Sequence, residues 1–175
     1  MLATDDQLMR PVKVIKLTQG QCTIVDSEDY ERASRKLWHI AFKGETRQPY
    51  AAHSEKKGSR KYELTLHKFL TGWPYVDHIN RDSLDNRRSN LRQVTHAQNQ
   101  YNQRGSRYST SPYKGVSWDK ARHKWCAQIM IDYHQNHLGR FDNEIDAAKA
   151  YDKAALAAFG EYAYLNFPQE RNQAA

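Results

Sequence analysis

Along residues 12–17 and 21–25, apolar and polar side chains alternate on either side of Gln19-Gly20. That is the period of a half-buried strand, and the pair predicts a β-hairpin. Asp26-Ser27-Glu28-Asp29 then offers an N-cap and first-turn acids to a helix carrying Tyr30, Ala33 and Leu37. Residues 38–43, 49–53 and 62–65 read as further strands, so the first part of the chain is β-rich. Lys56, Lys57, Arg60 and Lys61 cluster between the last two, where the pattern places a solvated loop.

Residues 105–111, GSRYSTS, are small and polar without apolar periodicity and read as a linker. Strands follow over residues 113–118, 124–132 and 135–141. Trp125, Ala127, Ile129 and Ile131 alternate with Lys124, Cys126, Gln128, Met130 and Asp132, so one face packs and the other looks outward. Asn143-x-x-Asp146 starts an alanine-rich helix and Gly160 ends it. Ala147, Ala148, Tyr151, Ala154, Ala155 and Ala158 make a small-residue face that lets the helix lie close to the sheet, with Phe141, Phe159 and Phe167 closing the core. The expected class is α+β, ending in a small three-stranded antiparallel sheet packed on one helix. The expected division is a domain over residues 1–104, the linker 105–111, a second domain over 112–168, and a tail over 169–175.

A length of 175 residues suits one medium domain or two small ones. The 27 basic against 20 acidic residues give a net +7, and the pI of about 9.4 points to a polyanionic partner rather than an acidic small substrate. Cys22 and Cys126 show no C-x-x-C spacing, which argues against a zinc knuckle or a disulfide framework and suits reduced, cytoplasmic surroundings. No apolar run approaches the roughly 18 residues of a membrane helix, and residues 1–11 lack the apolar core of a signal peptide. Neither membrane association nor export is expected.

Residues 75–101, YVDHINRDSLDNRRSNLRQVTHAQNQY, carry the sharpest chemical signal. Asp77 offers a hard carboxylate oxygen to a divalent cation, and the adjacent His78, titrating near neutrality, suits removing a proton from an attacking water. Asn99 adds a neutral carbonyl oxygen. A magnesium-type ion keeps several waters, so two protein ligands with phosphate oxygens and water complete its shell. Asn90, whose amide both donates and accepts, is expected to brace the loop leaving the Asp-His strand. His67 is read as a helix residue packing on the motif and His96 as solvent-facing. His39, His53, His123, His134 and His137 show no paired spacing that would make a second metal site.

Asp77-His78, then Asn86-Arg87-Arg88-Ser89-Asn90-Leu91-Arg92, then Asn99 resembles the HNH nuclease motif of the homing-endonuclease branch. Leu66-His67-Lys68-Phe69-Leu70 resembles the short helix that commonly precedes it, and the β-rich front resembles the region ahead of the motif in many small HNH proteins. The resemblance implies a ββα-metal unit, two strands and a helix around one divalent ion, with its core over residues 66–103. It implies Asp77 and Asn99 as metal ligands, His78 as general base and Asn90 as the structural amide of the catalytic motif. Asn99 stands where many members have His, which bears on metal affinity, although Asn is usual in this branch. Magnesium is the expected ion, with manganese as the alternative, and no small-molecule cofactor is expected.

Tyr113-Lys114-Gly115-Val116, Lys124-Trp125, Leu138-Gly139-x-Phe141, Ala147-Ala148-x-Ala150-Tyr151-Asp152-x-Ala154-Ala155 and Leu165-Asn166-Phe167-Pro168 resemble the DNA-binding domain of plant ethylene-response factors, the Apetala-type domain. That resemblance implies a three-stranded sheet in the major groove with the helix behind it. The expected DNA contacts are Lys114, Gly115, Ser117, Trp118, Lys120, Arg122, Lys124, Gln128 and Arg140. Ser117 and Met130 stand where several plant members carry Arg, so target sequence does not carry over. Charge agrees with this assignment: residues 107–141 hold 6 basic and 2 acidic side chains, whereas 142–175 hold 3 basic and 6 acidic.

The combined expectation is a homing-type endonuclease acting on double-stranded DNA, in which the C-terminal sheet positions the duplex while the HNH unit cuts beside it. One metal centre per chain implies a monomer that nicks. Such genes usually inhabit a phage or mobile element, which would place the protein in the host cytoplasm. A DNA-binding transcriptional regulator with an inactive HNH unit is the competing expectation, and a non-specific packaging protein the third. For the Lys56, Lys57, Arg60 and Lys61 cluster, a DNA-facing hairpin is the alternative to the solvated loop.

Overall fold

The computed structural model describes residues 11–43, 47–105 and 109–169. Residues 106–108 of the expected linker and nearly all of the expected tail lie outside the described residues. The fold is mixed α and β, with four small antiparallel sheets and four α-helices among the described residues. Two compact units divide between Thr95 and His96.

In the first unit, β1 (Val12–Lys16) and β2 (Cys22–Asp26) form the expected hairpin, with Lys16 opposite Cys22. Gln19 and Gly20 both take positive φ at its turn. Helix α1 (Ser27–Ser34) follows directly. It is shorter than the sequence predicts. The indole N–H of Trp38 donates to the Ala33 carbonyl at 2.8 Å, capping the helix end. The chain therefore leaves the helix, and Leu37 is 89% exposed instead of packing.

Strands β3 (His39–Lys43), β4 (Gln48–Lys57) and β5 (Arg60–Thr65) make a sheet in that order. Here the reading of Lys56, Lys57, Arg60 and Lys61 as loop residues is corrected, because β4 and β5 extend to the turn. Lys56 pairs with Lys61 and Lys57 with Arg60. Helix α2 (Leu66–Thr71) closes on Gly72, whose φ of 73° gives the left-handed cap that glycine adopts without strain. The core gathers Ile15, Leu17, Val25, Ala33, Trp38, Ala51, Leu66 and Leu70. Leu66 is fully buried, a contribution of about 1.5–3 kcal/mol for a side chain of its size. Further along the chain, β6 (Val76–His78) and β7 (Leu91–Gln93) form a short antiparallel pair in which Asp77 faces Arg92.

The second unit begins with α3 (His96–Tyr101). Tyr101 stacks on Phe159 at 3.9 Å between ring centroids, and its carbonyl accepts from the Tyr164 amide. Those contacts are why the division falls ahead of α3 and not at the polar run near residue 105. Within that run, Ser109 Oγ donates to the Val116 carbonyl and Thr110 Oγ1 accepts from the Trp118 amide. Residues 109–111 therefore dress a sheet edge.

The sheet comprises β8 (Val116–Asp119), β9 (Lys124–Ile131) and β10 (His134–Phe141), with β9 central. β8 starts three residues later than the pattern predicts because Gly115 takes φ +77° and cannot extend a strand. A Cβ there would lie 1.9 Å from the Tyr151 ring. Helix α4 (Glu144–Phe159) starts at Asn143, whose side chain accepts from the Ile145 amide at 2.7 Å. Ala147, Ala148, Tyr151 and Ala155 are buried against the sheet; Ala158, expected on that face, is exposed.

Candidate functional site

Asp77 and His78 are consecutive on β6 and buried, at 7% and 5% exposure. Successive strand residues point to opposite faces, so the two side chains reach different partners. Arg92, opposite Asp77 on β7, donates through Nε at 2.9 Å and NH2 at 2.7 Å to one carboxylate oxygen, Oδ2. Arg92 is the counter-charge of this buried acid, a pairing that the cross-strand register creates and that the motif letters do not reveal.

His78 Nε2 lies 3.3 Å from Oδ1 of Asn86. The Asn86 amide orientation follows from its other contacts. Its Nδ2 donates to the Ser83 carbonyl at 3.3 Å and to Thr23 Oγ1 at 2.8 Å, while Thr23 Oγ1 donates to the Leu84 carbonyl at 2.6 Å. A carbonyl only accepts, so Oδ1 is the atom facing the imidazole and Nε2 carries the proton. The basic lone pair then belongs to Nδ1. Burial pushes the His78 pKa below its ordinary value, against the opposing pull of Asn86 and of Asp77, Asp82 and Asp85. At neutral pH the ring is an unprotonated base.

Around His78, the His67 ring of α2 sits edge-on at 5.1 Å and the Tyr50 ring of β4 at 6.3 Å. His67 Nε2 is hydrogen-bonded to Thr65 Oγ1 at 2.9 Å. Burial, and then the nearby Asp77 charge, raise the Tyr50 pKa, so its hydroxyl stays protonated.

The loop between β6 and β7 is held by its own amides. Asn90 is buried, accepts from the Asn80 amide at 2.9 Å and donates to the Asp85 carbonyl at 2.8 Å. It spans the loop after His78. Arg87 forks onto Asp85 at 2.8 and 2.6 Å. Burial alone would raise the Asp85 pKa, but hydrogen bonds and charge from Arg87, with the Asn80 amide, hold it below the usual carboxylate range. Arg88 forks onto Asp29 at 2.7 and 2.8 Å, and its amide donates to Asp26. Asp26, Glu28 and Asp29 bring their oxygens within 4.8 Å of one another. With Arg88 seated among them, this cluster ties the motif loop to α1.

Asn99 falls on α3, in the second unit. The first unit thus brings together Asp77, His78, Asn86, Asn90 and Arg92. In this unit the buried Asp77 carboxylate is the oxygen donor of the type that suits a hard cation such as magnesium, which takes most of its ligands from water and phosphate.

In the second unit the strand register sorts the expected DNA contacts. Ser117 pairs with Cys126, Asp119 with Lys124, Arg140 with Cys126, and His137 with Gln128. By the pleat these share the face away from α4, where Met130 is 56% exposed. Trp118 pairs with Trp125, whose ring packs on the core, so alternation assigns Trp118 to the helix side. Asp119 gathers Arg140 at 3.0 Å and Arg122 at 3.3 Å, and Lys124 pairs with Asp142. The Lys114 ammonium donates to the carbonyls of Tyr101 and Gln103 at 2.9 and 2.6 Å. Gly115 provides the close approach to Tyr151, and Lys120 is exposed. Cys126 Sγ, on the exposed face, lies 3.3 Å from His137 Nδ1. No helix among the described residues is long and apolar enough to cross a membrane.

Residues 72–101 match a family model described as HNH endonuclease. The chain is 26% identical over 150 residues to a protein of Acanthamoeba polyphaga mimivirus named Uncharacterized HNH endonuclease L560, covering 85% of this chain and 76% of that protein. It is 39% identical over 64 residues to APETALA2-like protein 2 of Oryza sativa subsp. indica, covering 37% of this chain and 15% of that one. Protein 3.8 of Escherichia phage T7 is 32% identical over 64 residues, with 37% and 53% covered. The chain thus spans only a small part of its plant relatives. By these matches residues 72–101 are similar to the HNH endonuclease family, and a segment of 64 residues is similar to APETALA2-like protein 2.

Proposed function

We propose that the protein is a homing-type DNA endonuclease that hydrolyses one phosphodiester with one divalent metal ion. The observation that carries this reading is His78, held 3.3 Å from Asn86 Oδ1 beside the buried Asp77, within the segment that matches the HNH model. Asp77 and Asn99 are the metal ligands of the ββα-metal arrangement, Asn99 on the motif spacing, and magnesium is the ion. When bound, such an ion neutralises charge on the phosphate and the leaving oxygen.

His78 takes a proton from the attacking water at Nδ1, while Asn86 holds the Nε2 proton and so keeps the tautomer. Arg92 fixes the Asp77 carboxylate. Asn90 keeps the loop after His78 in place. The sheet of the second unit grips the duplex through Lys120, Arg122, Lys124, Gln128, Arg140 and their neighbours. A single centre per monomer cuts one strand.

The test is conversion of supercoiled plasmid to nicked circles with magnesium or manganese, and with EDTA, beside His78→Ala. Metal-dependent nicking is expected, falling by roughly 10²–10⁴-fold in the variant, with DNA binding retained. A His78→Ala protein that cuts at the parent rate removes His78 from the role. A second reading, a transcriptional regulator with an inactive HNH unit, is favoured by the 39% identity to the plant protein over 64 residues. It expects tight binding to one sequence with plasmid left intact.

A further inference from the structure

The β4–β5 hairpin sets basic residues opposite one another, where a strand pair accommodates like charges worst. Lys56 lies directly opposite Lys61, and Lys57 opposite Arg60. Like charges across a ladder repel and destabilise it. Buried positions on the two strands stop at Ala52 and Thr65, which are themselves register partners. From there to Lys57 the ribbon runs five residues, or roughly 16 Å at strand rise. Residues 56, 58, 59, 60 and 61 are all exposed.

Nearby carboxylates do not neutralise the tip. Glu55 accepts from Lys36 at 2.7 Å and from the Tyr62 hydroxyl at 2.5 Å, and Glu63 lies 3.4 Å from His39 Nε2. Among the described residues, Lys56, Arg60 and Lys61 make no ion pair with a carboxylate. The turn, Gly58-Ser59, offers no amide side chain to read bases. The ribbon therefore concentrates positive charge, at some cost in stability, on a tip whose residues 56 and 58–61 are exposed and lie outside the core cluster.

We infer that this hairpin tip is a second DNA-contacting element, gripping backbone phosphates of double-stranded DNA without reading sequence. This deepens the nuclease reading, since it gives the catalytic unit its own hold on the substrate. Lys56 and Lys61 act as point charges and Arg60 as a planar fork for phosphate oxygens.

The experiment is duplex binding by the full chain in EDTA, followed by fluorescence anisotropy across a potassium chloride series. EDTA stops cleavage, so the readout does not depend on the nuclease being active. For the triple variant Lys56→Gln, Arg60→Gln, Lys61→Gln, the slope of log affinity against log salt should become shallower by about 2–3, near 0.9 for each phosphate that is no longer neutralised. The loss should be equal on unrelated sequences. Lys56→Arg with Lys61→Arg should keep the parent slope. The triple variant should melt no lower than the parent, because it removes cross-strand repulsion. An unchanged slope in a folded triple variant overturns the proposal. So does a loss confined to one sequence, or a variant that loses binding to phosphatidylserine vesicles while its DNA slope is unchanged. Absent nicking with the slope change present would overturn the nuclease reading and leave the hairpin assignment standing.

Discussion

Nε2 of His78 lies 3.3 Å from Oδ1 of Asn86, and Asn86 is held from behind by Thr23, sixty-three residues earlier in the chain. The imidazole tautomer is thereby set by a strand of the first hairpin. Asn86→Ala should lower kcat by about 10–100-fold with little change in KM, the usual scale for a residue that orients a catalytic imidazole. Nitrogen NMR of labelled His78 supplies the readout a purely structural role would leave alone. The parent should show a protonated Nε2, and the variant a mixture of tautomers. A pure Nε2–H form in a slow variant would show that orientation is not the cause.

Burial lowers the His78 pKa despite Asn86 and three nearby carboxylates pulling the other way. In the proposed role His78 acts only when unprotonated, so the nicking rate should climb with pH and level off, with its midpoint below about 6.5. The linkage sign agrees. The unfolded chain holds this proton more tightly, so the stability that neutral His78 contributes is lost as pH falls below about 6.5 towards the folded value. A pH–rate midpoint above about 7 would assign the limiting base to another group.

Arg92 and Asp77 have side-chain exposures of 13% and 8%. Removing one member of so buried a pair leaves a stranded charge, and Arg92→Ala should destabilise the first unit by about 3 kcal/mol. Urea denaturation measures it. Magnesium should restore part of that loss by supplying the missing positive charge at Asp77, and no recovery at saturating magnesium would count against Asp77 as a ligand.

Gly115→Ala meets two obstacles at once, a positive φ and a Cβ placed 1.9 Å from the Tyr151 ring. The expected cost is roughly 2–4 kcal/mol, combining backbone strain and overpacking. Thermal melting of the full chain should show it. A near-neutral result would mean that the Tyr151 ring and the β8–β9 junction yield far more easily than a packed core does.

Most elements were legible because their signals are local. Alternation at Trp125, Ala127, Ile129 and Ile131 matches the face that β9 turns to α4. Asn143 caps α4 as its residue type predicts. Leu37 was misread because the helix end was decided by the Trp38 indole reaching back to Ala33, and helical spacing carries no trace of that bond. The basic hairpin was misread for a related reason. Lys and Arg are poor strand signals, yet pairing with the opposite strand drew them into the ladder. Asp77 and His78 stand out in the sequence as candidates by their chemistry, whereas the contacts of Asn86 and Arg92 exist only in the cross-strand and loop packing.

Residue type and spacing alone therefore located the first hairpin, the three strands and long helix of the second unit, the Asp-His pair and the charge that points to a polyanion, all of which follow from periodicity and side-chain chemistry. Tertiary structure decided which nitrogen of His78 holds the proton, which oxygen of Asp77 meets Arg92, and that Arg88 is seated on the acids of α1. The physical reason is that the loop after β6 docks on β2, through Ile24, Asp85 and Asn86. Hydrogen-bond partners some sixty residues apart, such as Thr23 and Asn86, are fixed by that docking and by nothing in their own neighbourhoods.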